Sequence, residues 1–192
     1  MPIRPYSLGF NIGVDICRIE RVVSLISIKE GDALSVDRNK FDRFTRRIFS
    51  PLEKILFLTR LSQRTRQDVT AMASTLAGRW AAKEAIFKAC NRRVMFPNIF
   101  ILRGHGNKPL YAAVLDEGTA PPSLGDLKAT ELDSEDLKAT PLLKAKNFQE
   151  HLDKLSGQEV DVSITHDGGY AVAVALVPKL ESSDLAVGIR RL

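Results

Sequence analysis

Residues 70–90 read TAMASTLAGRWAAKEAIFKAC, and this stretch decides the fold. Alanine and long unbranched side chains dominate it and a single glycine interrupts it, a composition that favours a helix. Alanines at 73, 77, 81, 85 and 89 recur at every fourth position, so one side of the helix is a strip of small residues that another backbone can approach closely. A parallel row reads Met72, Leu76, Trp80, Glu84, Lys88. Because positions four apart are neighbours on a helix, this row predicts an apolar stripe that opens into a polar site carrying a carboxylate and an ammonium.

Strand patterns lie on both sides. Residues 10–16, FNIGVDI, alternate, with Phe10, Ile12, Val14 and Ile16 on one face and Asn11, Gly13 and Asp15 on the other, which predicts a half-buried strand that presents Asp15 away from its apolar face. IERVVSLISI follows with helical spacing, and the polar stretch Lys29–Lys40 reads as a surface loop. Ser50-Pro51-Leu52-Glu53 carries the start signals of a second helix: a capping Ser, Pro at the first position and Glu in the first turn. After Pro97 come short strand-like pieces, FILR and PLYAAVL, joined by Gly104-His105-Gly106-Asn107-Lys108-Pro109. Residues 118–141 contain Pro121-Pro122 and the pentapeptide Asp-Leu-Lys-Ala-Thr twice, at 126–130 and 136–140, and read as an expanded surface loop. Val160, Val162 and Ile164, a turn through His166-Asp167-Gly168-Gly169, and Tyr170, Val172, Val174 and Leu176 form a hairpin whose return strand alternates large residues with Ala171, Ala173 and Ala175. That small face suits close packing against a helix or a neighbouring chain. The polar tail after Pro178 reads as frayed.

Composition bounds the function. The chain has 192 residues, 28 Lys+Arg against 23 Asp+Glu for a formal charge of +5, 44% hydrophobic residues and 27% charged ones. Such a chain forms one domain or two very small ones and can bury roughly 70% of its unfolded surface; a single domain is expected at 1–180 with a tail at 181–192. No apolar run of about 18 residues exists to cross a bilayer, and disorder and collagen-like repeats are excluded. Cys17 and Cys90 lie outside any ligand spacing and read as reduced thiols. The basic balance points to an acidic partner or to a slightly basic surface.

Asp15, at the end of an apolar strand, needs a partner. Arg18 or Arg79 would supply one as an ion pair, and Glu84 with Lys88 four residues on would equally make a surface pair. Taken together, two carboxylates from separate elements and a nearby lysine suit Mg²⁺ and a phosphate ester, because magnesium is held by one or two carboxylates and takes further oxygens from phosphates. The run Ser163-Ile164-Thr165-His166-Asp167 follows a strand into a turn and cannot converge as a catalytic triad by itself; no GxSxG elbow is present. His166 reads either as a phosphate contact or as a turn-stabilising group. The GHGNKP loop matches neither a GxxxxGK[ST] nor a GxGxxG pattern.

Four blocks in order resemble the holo-acyl-carrier-protein synthases, the short-chain class of 4′-phosphopantetheinyl transferases. They are Ile12-Gly13-Val14-Asp15-Ile16 with Ile19-Glu20-Arg21-Val22; Phe44-Thr45-Arg46-Arg47-Ile48-Phe49-Ser50 with Glu53; Leu76-Ala77-Gly78-Arg79-Trp80-Ala81-Ala82-Lys83-Glu84-Ala85 with Lys88-Ala89; and Val162-Ser163-Ile164-Thr165-His166-Asp167 with Tyr170-Ala171. The resemblance spans about residues 10–178. It implies an α+β fold, a small antiparallel sheet packed around a long central helix, and Mg²⁺-dependent transfer of phosphopantetheine from coenzyme A to a serine of an acidic acyl carrier protein, releasing adenosine 3′,5′-bisphosphate. By residue it implies that Asp15 and Glu84 hold the metal and that Lys88 contacts the transferred phosphate. It further implies that Arg79, Lys83, Ser163 and His166 line the coenzyme A site, and that Gly106, Lys108 and Pro109 lie near the adenine or its phosphate, although the family reads Gly-Lys-Pro where this chain has Gly-Asn-Lys-Pro. Arg21, Arg43 and Arg47 would dock the carrier protein. Glu84 or a metal-bound water would accept the serine proton. The resemblance also implies a homotrimer with sites between subunits, for which the small-residue strips at 73–89 and 171–175 offer close packing.

Two other classes compete. A basic module for nucleic acid would interleave its cations with aromatics, whereas the three Tyr, one Trp and nine Phe stand mostly in apolar positions. A relative that binds coenzyme A without turnover would not need Asp15, Glu84 and Lys88 together. The expected compartment is the mitochondrial matrix or the cytoplasm, by analogy with enzymes of fatty-acid synthesis, and neither nucleic acid nor membrane is an expected partner.

Overall fold

The computed structural model describes residues 8–61, 65, 68–103, 109–116, 119 and 156–180. In chain order these form β1 (Phe10–Arg18), α1 (Ile19–Ile26), β2 (Ser27–Glu30), β3 (Ala33–Val36), α2 (Arg38–Ile48), α3 (Pro51–Arg60), α4 (Val69–Ala89), a 3-10 turn (Phe96–Asn98), β4 (Ile99–Arg103), β5 (Leu110–Leu115), β6 (Gly157–Asp167) and β7 (Tyr170–Pro178). Five strands make one sheet in the order β1-β7-β6-β5-β4, antiparallel at every junction, and β2 with β3 forms a separate hairpin. This is the expected α+β arrangement, a small antiparallel sheet packed on a long helix.

The alanine-rich stretch is that helix. Asp68 caps its start by accepting from the backbone N–H groups of Thr70 and Ala71 at 2.8 and 3.0 Å, which satisfies two donors that have no partner inside the helix. The alanines at 73, 77, 81, 85 and 89 are buried, and so are Ala171, Ala173 and Ala175 of β7. Both small strips pack against the interior of this one chain, helix on sheet, so they do not form the subunit contact expected of them. The approach is closest at Gly13 of β1, where an added Cβ would stand 1.8 Å from the Ala85 carbonyl oxygen.

That proximity inverts the expected burial of β1. The face that meets α4 is Asn11, Gly13, Asp15 and Cys17, because only small or polar side chains fit against the helix there. Ile12, Val14 and Ile16 are instead 61%, 53% and 61% exposed. Val174 and Leu176 of β7 pair with Val14 and Ile12 and share this open face, which becomes polar at Ser163 and Asp161 on β6.

The polar stretch 29–40 is not a loop. It holds the rest of the β2–β3 hairpin and the start of α2, which Asp37 caps by accepting from the Lys40 N–H at 3.0 Å. Phe41, Phe44, Thr45 and Ile48 then bury one side of α2. α3 begins at Pro51 as expected, with the Ser50 hydroxyl accepting from the Glu53 N–H at 3.1 Å. The β6–β7 turn places Gly168 and Gly169 at φ of +51° and +83°, backbone that other residues adopt only with strain. The expected 118–141 loop, apart from Thr119, and the 181–192 tail lie outside the described residues.

Candidate active site

The polar site forms where β1 passes the last two turns of α4. The Asn11 amide donates to the Ala89 carbonyl at 2.9 Å, taking up an acceptor orphaned by the helix end. Two residues on is Gly13 at its closest approach, and two further on is Asp15, so the alternation of the strand brings a pin, a gap and a carboxylate to the same helix. Asp15 Oδ1 accepts from Lys88 Nζ at 2.6 Å, and the same ammonium lies 3.4 Å from the Val14 carbonyl. The partner of Asp15 is therefore Lys88 and neither of the expected arginines: Arg18 pairs with Glu20 at 2.6 Å, and Arg79 lies 3.5 Å from Glu53.

Along the Met72–Lys88 row, Met72 and Leu76 are buried, Trp80 and Glu84 half-buried and Lys88 exposed, so the stripe does open into a polar site. Glu84 shares it with Asp15. Its pKa is raised, first by desolvation and next by the nearby Asp15 charge, while Lys88 and Arg21 oppose the shift. The Lys88 pKa is raised chiefly by its hydrogen bond to Asp15, so the ammonium is kept. Two carboxylates beside a cation, one of them raised in pKa partly by the other's charge, form a donor set that fits a hard divalent metal retaining its waters and a phosphate oxygen.

Lys83, the residue before Glu84, points about 100° away around the helix. It is fully buried, and its ammonium donates to the Glu53 carboxylate, to the Ile48 carbonyl at the end of α2 and, at 2.9 Å, to the Phe96 carbonyl. Burial lowers its pKa to about 8 against the raising effect of Glu53. Arg79 donates to the Ile101 carbonyl at 3.0 Å and lies over the Phe57 ring. The Ile101 N–H in turn donates to Glu53 at 3.2 Å. Arg79 and Lys83 thus join α4 to α2, α3 and β4; Lys83 is fully buried and presents no surface to a coenzyme in this chain, whereas Arg79 stays partly exposed. In the sequence Glu53 reads as a first-turn carboxylate and as part of the second matching block; its place as the shared anion of this network is not legible there.

His166 and Ser163, expected to line one site together, lie on opposite faces of β6. His166 faces α4, where Nε2 stands 3.0 Å from the Ser74 carbonyl and therefore donates to it; Gly78 leaves room for the ring, since a Cβ there would come within 2.9 Å of Nε2. Ser163 is on the open face opposite Val174. Arg21 on α1 and Arg43 and Arg47 on α2 are exposed. Pro109 is exposed just before β5, while Gly106 and Lys108 lie outside the described residues. Cys17 is buried and Cys90 half-buried, both as free thiols. Among the described residues, no helix is long and apolar enough to cross a membrane, and no group of three or more His, Cys, Asp and Glu residues could hold a metal.

Comparison with known proteins adds an independent line. The model of the 4′-phosphopantetheinyl transferase superfamily matches residues 11–124, a segment that contains Asp15, Glu84 and Lys88. A holo-[acyl-carrier-protein] synthase from Mycoplasmopsis pulmonis is 38% identical over 92 residues, which cover 48% of this chain and 63% of that relative's length. Two Plasmodium yoelii crystal structures, a holo-ACP-synthase and an acyl carrier protein synthase with ADP bound, each superpose with a TM-score of 0.51 at 18% identity. They cover 89% of this chain and 95% and 96% of theirs. At that identity the superposition speaks to the fold alone.

Proposed function

The chain belongs to the 4′-phosphopantetheinyl transferase superfamily, and from that membership we propose that it transfers 4′-phosphopantetheine from coenzyme A to a serine of an apo acyl carrier protein, releasing adenosine 3′,5′-bisphosphate. The observation that carries this reading is the meeting of Asp15, Glu84 and Lys88 at the β1–α4 junction, inside the matched segment.

The serine Oγ forms a bond to the phosphorus that bears pantetheine, and the bond from that phosphorus to the bridging oxygen of the adenylyl half breaks. Asp15 and Glu84 would hold Mg²⁺, which when bound supplies positive charge to offset that of the pyrophosphate. Lys88 lies on the solvent side of Asp15, close enough to neutralise charge as it develops on the departing bisphosphate. The serine proton goes to the second oxygen of the Glu84 carboxylate, a group whose pKa desolvation raises in the absence of metal. Arg21, Arg43 and Arg47 dock the acidic carrier, and His166 and Ser163 contact the coenzyme.

The last assignment needs two copies of the chain. Ser163 opens onto the exposed face of Ile12, Val14, Ile16, Val174 and Leu176, and an apolar face of that breadth marks a protein interface. A homotrimer closed through this face would bring one subunit's Ser163 to its neighbour. The test of the function is to incubate the protein with coenzyme A, Mg²⁺ and an apo acyl carrier protein and to weigh the carrier. A gain of phosphopantetheine mass that disappears with EDTA is expected; an unmodified carrier in a mixture that retains bound coenzyme A would identify a binding module instead.

A further inference from the structure

Trp80 is the sole tryptophan of the chain and stands one turn before Glu84 on α4. Its indole is held on two sides: the Phe44 ring of α2 stacks on it at 5.7 Å and 16°, and the Phe96 ring meets it edge-on at 5.5 Å and 83°. Phe96 is fixed in turn by Phe87 at 6.2 Å and by the Lys83 ammonium on its carbonyl. Over this braced ring lies the guanidinium of Arg21, 5.7 Å from the centroid. Arg21 is exposed, and among the described residues its guanidinium forms no ion pair, although Arg18 one turn earlier is taken by Glu20.

From this geometry we propose that Trp80 is a positioning residue that aims Arg21 at an acidic carrier protein. The inference rests on the reading of Arg21 as a docking residue given above and adds what holds it in place. An exposed arginine samples many rotamers, and ordering it on binding costs affinity. A carboxylate partner would order it but would occupy the N–H fork that a carrier carboxylate must reach. A ring beneath the guanidinium plane restricts the side chain and leaves its in-plane donors free for bidentate pairing. Trp80 is suited to the task because tryptophan gives the strongest cation–π contact and because Phe44 and Phe96 prevent the ring from following the arginine.

The test measures carrier KM at saturating coenzyme A for the wild type, Arg21→Ala, Trp80→Leu, Trp80→Phe and the Arg21→Ala/Trp80→Leu double variant. Trp80→Leu should raise carrier KM about two- to fivefold, the range that an exposed cation–π contact sustains, with coenzyme A KM unchanged and Trp80→Phe recovering most of the loss. In the Arg21→Ala background Trp80→Leu should add nothing, because its effect passes through the arginine. Equal losses in both backgrounds, or no loss in the first, would overturn the positioning role while leaving Arg21 docking intact. An unchanged carrier KM for Arg21→Ala would remove docking and positioning together. A second measurement needs no Trp80 variant: Arg21→Ala should shift the emission maximum of the lone tryptophan in the free protein, and an identical spectrum would refute the contact.

Discussion

Replacing Gly13 by alanine tests how the site is built with a single methyl group. Its Cβ would lie 1.8 Å from the Ala85 carbonyl oxygen, 2.8 Å from that carbonyl carbon and 3.0 Å from the Ala89 Cβ. Real Cβ atoms essentially never come closer than 3.0 Å to another heavy atom, so β1 and α4 must part by more than about 1 Å. The obstacle is helix backbone and cannot swing aside. Ala85 and Ala89 directly follow Glu84 and Lys88, and Gly13 lies two residues from Asp15 on the same strand face, so the separation falls on the three site residues themselves. A misplacement of about 1 Å can cost on the order of 100-fold in rate, and forced overpacking typically costs about 1–3 kcal/mol. Gly9→Ala is the control. It adds a methyl group just before β1, but nothing lies within 4 Å of the Cβ it would carry. Single-turnover transfer and urea unfolding of both variants decide the matter: Gly13→Ala should lose rate and stability together, Gly9→Ala little of either. A Gly13→Ala protein with wild-type rate and midpoint would show that the spacing of β1 and α4 does not set the site.

Glu84→Gln should abolish transfer, by about 10²–10⁴-fold if it is the base, and yet raise thermal stability at neutral pH. The raised Glu84 pKa means that the folded state holds its proton more tightly than the unfolded chain, so stability falls as pH climbs from the ordinary carboxylate value through the raised one; melting scans of variant and wild type across pH 4–8 check the sign. Lys83→Met should cost about 3–5 kcal/mol in urea unfolding by leaving Glu53 buried with its close partner gone; full stability with a raised coenzyme A KM would return Lys83 to the coenzyme site. Val14→Glu on the open face should lower the mass seen by light scattering and weaken transfer, whereas an unchanged mass would mean that this face is not an interface.

Much of this architecture is legible in the chain because it rests on local rules. The alanine row of α4, the Ser50-Pro51-Glu53 start of α3 and the glycines between β6 and β7 each declare their element without reference to distant contacts. The row from Met72 to Lys88 predicts the opening of the stripe into Glu84 and Lys88 for the same reason. What is not legible depends on which of two surfaces another element covers. Alternation in β1 separates Ile12, Val14 and Ile16 from Gly13 and Asp15 but cannot tell which side α4 takes, and here the demand for small residues at close approach outweighs the burial of large ones. Lys83 and Glu84 are sequence neighbours about 100° apart around a helix, so one faces the metal-type site and the other an interior network whose anion, Glu53, is 30 positions away. The helix that buries Phe41, Phe44, Thr45 and Ile48 begins at Arg38, inside the polar 29–40 stretch, where too few apolar residues stand to show a period and the signal reads as a loop.

The central claim is that Asp15, Glu84 and Lys88 carry out phosphoryl-type transfer at the β1–α4 junction. Its most direct test is the single-turnover rate of carrier modification, at saturating coenzyme A and apo acyl carrier protein, for Lys88→Met against the wild type. Lys88 is half-exposed, so its loss leaves the fold in place. A fall of about 100-fold or more with circular dichroism unchanged is the predicted result; a rate within about threefold of the wild type would contradict the assignment of the site.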